Sequence, residues 1–166
     1  MLPMTDSVVK IITEAALLIN STLETLCAFR DEMDRLSSML PEYEVVMELY
    51  GVGKVLGSQL IAEIGDVRRL DSSKSLVAMA RIDPPPNQSG QVDQKSRSIS
   101  KRGSSALRKT LFQIMTIIIQ NKPVDEPVYQ FLDKKRSEGK PYRVYMIAAA
   151  HKFLRIYYAR VMETVT

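Results

Sequence analysis

Residues 8–40 read VVKIITEAALLINSTLETLCAFRDEMDRLSSML, and their spacing determines the fold class. Apolar or small residues alternate at intervals of four and three: Val8, Ile12, Ala15, Ile19, Thr22, Leu26, Phe29, Met33, Leu36 and Leu40. A repeat of about 3.5 residues is typical of a helix that follows a partner helix in a left-handed supercoil. Because Pro41 cannot continue such a helix, the pattern predicts one helix of about 50 Å over residues 5–40.

This predicted helix has a wider apolar stripe in its first half than a two-stranded coiled coil requires. The additional positions are Val9, Ile11, Ala16, Leu17, Leu18 and Leu23. Either a partner chain or this chain's own C-terminal helices must cover the stripe. We therefore predict a homodimer through residues 8–40, with a coiled-coil dimerisation helix over 1–40 and a separate helical domain over 41–166.

A short helical pattern, a turn and a second helical pattern follow Pro41. Residues 42–50 and 54–64 suit helices, and Gly51-Val52-Gly53 separates them, as in a helix-hairpin-helix. Without side chains, Gly51 and Gly53 would let a phosphate reach the free N–H groups at the start of the second helix, where Lys54 adds a charge. A site of this kind grips the DNA backbone without reading its sequence. A purely structural turn explains the same glycines.

Four further segments have helical spacing. Residues 74–81 follow a possible N-cap at Asp71, and residues 104–120 have a regular apolar face. Asp125, with Pro127 in the first turn, opens a helix that reaches residue 135, and Pro141 starts the last helix. The predicted fold class is therefore all-α, with a long N-terminal coiled-coil helix followed by a small helical domain that contains a helix-hairpin-helix.

A long polar segment separates two of these helices and starts with Pro84-Pro85-Pro86. It contains Ser89 followed by Gly90, a pair typical of an exposed turn. Ser89 is either a turn residue or a nucleophile whose hydroxyl attacks a phosphodiester. Attack on phosphorus needs cations to neutralise developing charge, and the segment supplies them at Lys95, Arg97, Lys101 and Arg102. It has no evident general base or metal cluster.

Charge is distributed unevenly along the chain. Residues 1–50 contain nine acidic and three basic residues, whereas residues 51–166 contain ten acidic and twenty basic residues. The densest stretch, residues 95–109, includes Arg108 and has no acid. The second part is therefore the candidate for binding a polyanion, although basic loops can also be simply solvated.

Composition excludes several other classes of protein. The single cysteine, Cys27, allows no internal disulfide, and with one histidine the chain cannot form a structural zinc site. The longest uninterrupted apolar runs are much shorter than the roughly 20 residues of a membrane span. The first ten residues lack a signal-peptide pattern, so we expect a cytoplasmic protein with no membrane association.

Several motifs in order resemble the C-terminal domain of the IS110 family of insertion-sequence transposases, which are bridge-RNA-guided recombinases. The motifs are residues 49–53 (LYGVG), 61–66 (IAEIGD), 89–90 (SG), 99–103 (ISKRG), 107–108 (LR) and 152–159 (KFLRIYYA). The resemblance spans about residues 41–162. The preceding helix is similar to the coiled coil that joins two domains in this family and assists dimerisation. Ser104 departs from the family pattern, in which asparagine is common after Lys101-Arg102-Gly103.

The resemblance implies a DNA-recombining domain in which Ser89 attacks a DNA phosphate, forms a phosphoserine link and releases a 3′-hydroxyl. Family members carry a RuvC-like domain whose acids hold magnesium. No cofactor is expected in this chain, which lacks that domain, so we expect part of a longer protein or the product of a shortened gene, inactive alone. The partner is DNA, and a guide RNA remains open. The alternatives are a non-catalytic helix-hairpin-helix DNA-binding module and a helical dimerisation module.

Overall fold

The computed structural model describes residues 6–82 and 103–166, and within these ranges the chain is all-helical, as predicted. The described residues form seven α-helices and a short 3-10 helix at Val67–Arg69. The α-helices are α1 (Asp6–Ser37), α2 (Tyr43–Met47), α3 (Lys54–Ile64), α4 (Ser73–Ala80), α5 (Ser105–Asn121), α6 (Pro127–Ser137) and α7 (Tyr142–Val165).

Helix α1 extends from the rest of the described structure. Of its 32 residues only Ser37 is buried, and it contacts the other helices mainly through α3. Its apolar side chains lie in the open, with Ile11 69% and Leu18 70% exposed. The chain's own C-terminal helices therefore do not cover the stripe, which removes one of the two explanations for it.

Helices α2 to α7 form one hydrophobic core. Helix α7 packs against α6, α4, α5 and α2, and α3 packs against α5. Leu60 on α3, Ile114 on α5 and Leu154 on α7 are completely buried.

Ser104, the N-cap of α5, bonds Glu63 near the end of α3. Gly51, just before α3, instead lies against Ile114 and Ile118 in the second half of α5. The start of α5 and the start of α3 are therefore two separate parts of the candidate site.

The helix ends follow the expected capping chemistry with small shifts. The N-cap of α4 is Ser72, whose hydroxyl accepts a hydrogen bond from the Ser75 amide, and not Asp71. Pro127 occupies the first turn of α6, as predicted, but the N-cap is Glu126, which accepts from the Tyr129 amide, and not Asp125. Helix α2 is a single turn, shorter than the predicted helix over 42–50, because the chain turns before the two glycines.

By length and composition alone, α1 is apolar enough to cross a membrane, and it is the only helix in the described ranges that meets this test. Uninterrupted apolar runs, on which the sequence-based expectation relied, do not capture such a helix, because scattered polar residues interrupt its apolar ones. One such helix near the N-terminus is weak evidence for a membrane segment, since signal sequences and the core helices of soluble proteins pass the same test.

Candidate nucleic-acid interface

The candidate nucleophile lies outside the described residues. Ser89 and the four cations predicted to surround it, Lys95, Arg97, Lys101 and Arg102, all fall within residues 83–102. Their predicted roles therefore stay predictions. The structure does describe the residues on either side of this segment, at the end of α4 and the start of α5.

These flanking residues are packed tightly together. Ile82 is completely buried, and Arg81 adopts a left-handed backbone conformation with φ of 50°. A Cβ atom added to Gly103 would collide with the carbonyl oxygen of Met79 and the side chain of Arg81. Gly103 thus lies against Met79 and Arg81, and only glycine fits at position 103 without rearrangement.

Arg108 links the residues on either side of segment 83–102 through hydrogen bonds. Its Nη1 atom donates to the carbonyl oxygen of Gly103 at 3.0 Å and to that of Ala80 at 3.3 Å. We call Ala80, Arg81, Ile82, Gly103 and Arg108 the loop base. The sequence singled out Arg108 as a DNA contact, and the structure places its guanidinium on backbone carbonyls at the loop base.

Ser104 connects the loop base to α3. Its hydroxyl caps α5 by accepting from the Leu107 amide at 3.0 Å and donates to Glu63 Oε2 at 2.6 Å. The bond joins residues 41 apart in the chain. Glu63 was not singled out by the sequence, because nothing in the local pattern shows which hydroxyl its carboxylate meets.

The two glycines between α2 and α3 have different surroundings. Gly51 has φ of +80°, and a Cβ atom there would lie 3.3 Å from both Ile114 Cγ2 and Ile118 Cγ1 of α5. Gly53 is the N-cap of α3 in an extended conformation, and a Cβ atom there would have no atom within 4 Å. The turn therefore packs its first glycine against the core and exposes its second.

The start of α3 has the features that a phosphate-binding site requires. No side chain caps it, so its first backbone N–H groups have no partner within the helix. The Lys54 side chain beside them is 78% exposed. These groups could approach an anion from solvent, as the sequence predicted, while the helix-hairpin-helix assignment itself stays a prediction.

A carboxylate from α1 lies next to this turn. Asp34 Oδ1 accepts hydrogen bonds from the Tyr43 hydroxyl at 2.6 Å and the Ser58 hydroxyl at 3.3 Å, and Oδ2 lies 3.6 Å from Lys54 Nζ. The hydrogen bond to Asp34 raises the pKa of Tyr43. Asp34 thus attaches α1 to α2 and α3 and places a negative charge beside Lys54, a feature that the sequence did not reveal.

No resident metal site is evident in the described residues. Within 6–82 and 103–166 there is no group of three or more His, Cys, Asp or Glu side chains that could hold an ion. The carboxylates nearest the candidate site, Glu63 and Asp34, are each hydrogen-bonded to hydroxyl groups. These residues do not fit a magnesium centre.

Comparison with known proteins places the chain in a family. A match to the family described as "Transposase IS116/IS110/IS902 family" covers residues 43–130, which include the turn at Gly51, the loop base and segment 83–102. The pilin gene-inverting proteins of Moraxella bovis and Moraxella lacunata are each 32% identical over 114 residues, which make up 68% of this chain and 34% of theirs.

A third relative is an insertion element IS900 uncharacterized 42 kDa protein of Mycobacterium paratuberculosis. It is 25% identical over 121 residues, which make up 72% of this chain and 29% of that protein. The chain thus spans about a third of the length of these relatives. Since the family match covers more than half of its residues, the chain belongs to the IS116/IS110/IS902 family of transposases.

Proposed function

We propose that this chain is the DNA-binding, serine-bearing part of a transposase that acts in DNA transposition. The observation that carries the proposal is the family match over residues 43–130, which spans the α2–α3 turn, Ser89 and the loop base in one continuous region. A relative described as a gene-inverting protein is consistent with recombination of DNA.

Ser89 is the proposed nucleophile. Its Oγ forms a bond to a DNA phosphorus while the bond from phosphorus to the 3′ oxygen breaks, and the serine proton is lost as the 3′ oxygen gains one. The product is a phosphoserine link, which conserves the phosphodiester for rejoining, and a free 3′-hydroxyl. Lys95, Arg97, Lys101 and Arg102 neutralise the charge that develops on the phosphate oxygens.

The loop base supports this role from the described part of the chain. Arg108 donates to the carbonyl oxygens of Ala80 and Gly103, on either side of segment 83–102, and Ser104 joins the residues after the segment to α3 through Glu63. A nucleophile must be held close to its target, and fixed residues on either side of the segment that carries it favour this. In this proposal Arg108 contributes to the site by holding the backbone that flanks the segment.

As the resemblance implies, the acidic residues that hold magnesium in this proposal belong to a RuvC-like domain supplied in the same or another polypeptide. Within residues 6–82 and 103–166 no group of carboxylates fits a magnesium site. On its own this chain binds DNA and is not expected to cut it.

The start of α3 is the proposed contact to the DNA backbone. Gly53 leaves open space, Lys54 is exposed, and the first N–H groups of α3 are uncapped. Gly51 serves the same contact indirectly, since its packing on α5 fixes the turn. Phosphate contacts of this kind position the protein without specifying a sequence.

Two copies of the chain associate through α1 in this proposal. The exposed apolar stripe requires cover, and its 3.5-residue spacing fits a second α1 helix. The protein acts in the cytoplasm, where its DNA substrate is found. A guide RNA is a further possible partner of the whole transposase.

The test combines binding and strand transfer. Binding of the chain to duplex DNA should weaken steeply as salt rises, because phosphate contacts release counterions. Ser89→Ala should leave this binding unchanged and abolish both the covalent protein–DNA product and strand transfer in a transposase reconstituted with the acidic domain. Strand transfer that persists in Ser89→Ala would refute the nucleophile, and Ser98→Ala, in the same segment, is the matched control.

The exposure of α1 favours one second candidate, a helical dimerisation module without chemistry. In that case the chain should dimerise but show no salt-dependent DNA binding. Substitution of Gly53 by Val separates the two, since it should weaken DNA binding only if the start of α3 contacts phosphate.

A further inference from the structure

The turn between α6 and α7 is a basic surface that the proposed site does not use. We call residues 134–143, KKRSEGKPYR, the basic turn; five of the ten are Lys or Arg and one is acidic. Every residue from 136 to 144 is exposed, so the turn projects from the helical body into solvent. It lies beyond residue 130, where the family match ends.

Two of its five cations are paired within the chain. Lys135 Nζ lies 2.7 Å from Glu138 Oε2 and 5.8 Å from the centre of the Phe131 ring, and Arg136 Nη2 lies 3.0 Å from Asp133 Oδ1. The other three, Lys134, Lys140 and Arg143, form no ion pair in the described parts of the chain. Their charge is therefore available to an external anion.

These cations share one electrostatic environment. The pKa of Glu138 is lowered mainly by its hydrogen bond from Lys135 and further by the charges of Lys135, Lys134 and Lys140. Lys134 and Lys140, which form no ion pair in the described parts of the chain, thus both lie close enough to Glu138 to lower the pKa of its carboxyl. A polyanion at this turn would meet both of them together.

The backbone of the turn is well defined. Gly139 has φ of +72°, and its amide donates to the Arg136 carbonyl at 3.0 Å, while the Lys140 amide donates to the Lys135 carbonyl at 3.3 Å. These bonds close the end of α6 in the manner of a glycine-terminated helix. Because the turn is closed before any ligand arrives, little ordering cost opposes binding there.

An exposed aromatic ring lies beside the charges. Tyr142 is 55% exposed, and its ring meets that of Tyr145 edge to face, with centroids 5.3 Å apart and planes at 76°. Tyr142 thus packs edge to face on one neighbouring ring and keeps much of its surface in solvent. An unpaired nucleobase can stack on such a ring, whereas a base inside a duplex already stacks on its neighbours.

We propose that the basic turn is a binding surface for single-stranded nucleic acid, with Lys134, Lys140 and Arg143 contacting phosphates and Tyr142 stacking on a base. The surface is separate from the α2–α3 turn and segment 83–102. It does not depend on the proposed nucleophile or on the duplex contact at α3. The ligand chemistry, a phosphate chain with unpaired bases, is shared by DNA and RNA.

The first experiment measures affinity by fluorescence anisotropy of labelled twelve-nucleotide strands, oligo-dT and oligo-U, on the full chain. Substitution of Lys134, Lys140 and Arg143 together by Gln should weaken binding of at least one strand roughly tenfold at low salt and reduce the log–log salt slope by about 2, since each single-strand phosphate contact contributes about 0.7. The control with equal charge loss substitutes Lys10, Lys74 and Lys122 by Gln and should change affinity less than threefold.

The second experiment separates stacking from charge. Tyr142→Ala should weaken binding of the unpaired strand by about fivefold or more and leave duplex binding unchanged, and Tyr142→Phe should restore it, because the ring and not the hydroxyl stacks. The thermal unfolding midpoint should stay close to that of the unsubstituted chain, since the ring is exposed.

The two experiments either support or overturn the proposed binding surface. A greater loss of affinity for oligo-U or for oligo-dT supports the proposal and identifies the natural strand as RNA or DNA. A triple variant that behaves like its charge-matched control, or a Tyr142→Ala variant that binds both strands normally, overturns it. Failure of the proposed function would instead appear as absent duplex binding and absent strand transfer with binding of unpaired strands intact.

Discussion

Helices α1 and α5 both carry apolar residues at regular helical spacing, yet α5 buries its apolar face and α1 exposes it. Ile114 on α5 is completely buried between neighbouring helices, whereas Ile19 on α1 is 58% exposed. The same residue type at the same spacing therefore has different energetic roles in the two helices. Periodicity defines which face of a helix is apolar, and the surrounding elements decide whether that face has a partner within the chain.

The two helices also differ in the free energy that their apolar side chains contribute to folding. Burying a large aliphatic side chain stabilises a structure by about 1.5–3 kcal/mol. The side chains of α5 already contribute this to folding, while those of α1 can contribute it only on association. We therefore expect substitutions in α5 to change the stability of the single chain and those in α1 to change assembly.

The largest expected effect is at Ile114. Ile114→Ala should lower the free energy of unfolding by about 2–5 kcal/mol, because it removes buried methyl groups and leaves a cavity. Ile19→Ala, the matched change on α1, should lower it by less than about 0.5 kcal/mol at a protein concentration below that at which chains associate. Urea unfolding measures both, and equal losses would contradict the contrast.

The next effect concerns assembly through α1. Substituting Ile19 and Leu26, two positions of the 3.5-residue repeat, by Asp should weaken self-association by roughly a hundredfold or more, since the dimer would bury unpaired carboxylates. Sedimentation velocity measures the shift from dimer to monomer. The control substitutes Ser21 and Thr25, which lie off the repeat, by Asp and should leave the dimer intact. If the unsubstituted chain is already monomeric, the proposal that it dimerises through α1 is wrong.

The two glycines of the α2–α3 turn test the contact with α5. Gly51→Ala should destabilise the fold by about 1–3 kcal/mol, because its positive φ and its approach to Ile114 and Ile118 disfavour a side chain. Gly53→Ala should change stability by less than about 1 kcal/mol. Thermal unfolding compares the two, and a reversed order would show that the turn does not pack on α5 as described.

The smallest effect concerns the attachment of α1 to the helical body. Asp34→Asn keeps an acceptor for the Tyr43 hydroxyl but removes the charge 3.6 Å from Lys54. If the start of α3 contacts phosphate, duplex affinity should rise about two- to fourfold at low salt, since exposed pairs contribute less than about 1 kcal/mol. Asp31→Asn on the same helix is the control, and equal gains from both would mean that only net charge matters.

Local patterns in the sequence predict the helical class, the long first helix and most helix starts. These depend on residues a few positions apart: apolar spacing, Pro127 in a first turn and Pro41 beyond the long helix. The sequence also identified Gly51, Gly53 and Lys54 as parts of one candidate phosphate site. Ser89 was chosen from its serine-glycine pair and from the resemblance, and the four cations from their place in the same polar segment. All five lie outside the described residues and stay predictions.

Contacts between residues far apart in the chain are visible only in the folded structure. The structure puts Arg108 on the carbonyls of Ala80 and Gly103, joins Ser104 to Glu63 across 41 residues, and sets Asp34 beside Lys54. It also assigned Gly51 to the core and Gly53 to solvent. Such contacts depend on how helices pack together, and packing is a property of the whole set of apolar faces that no local pattern specifies.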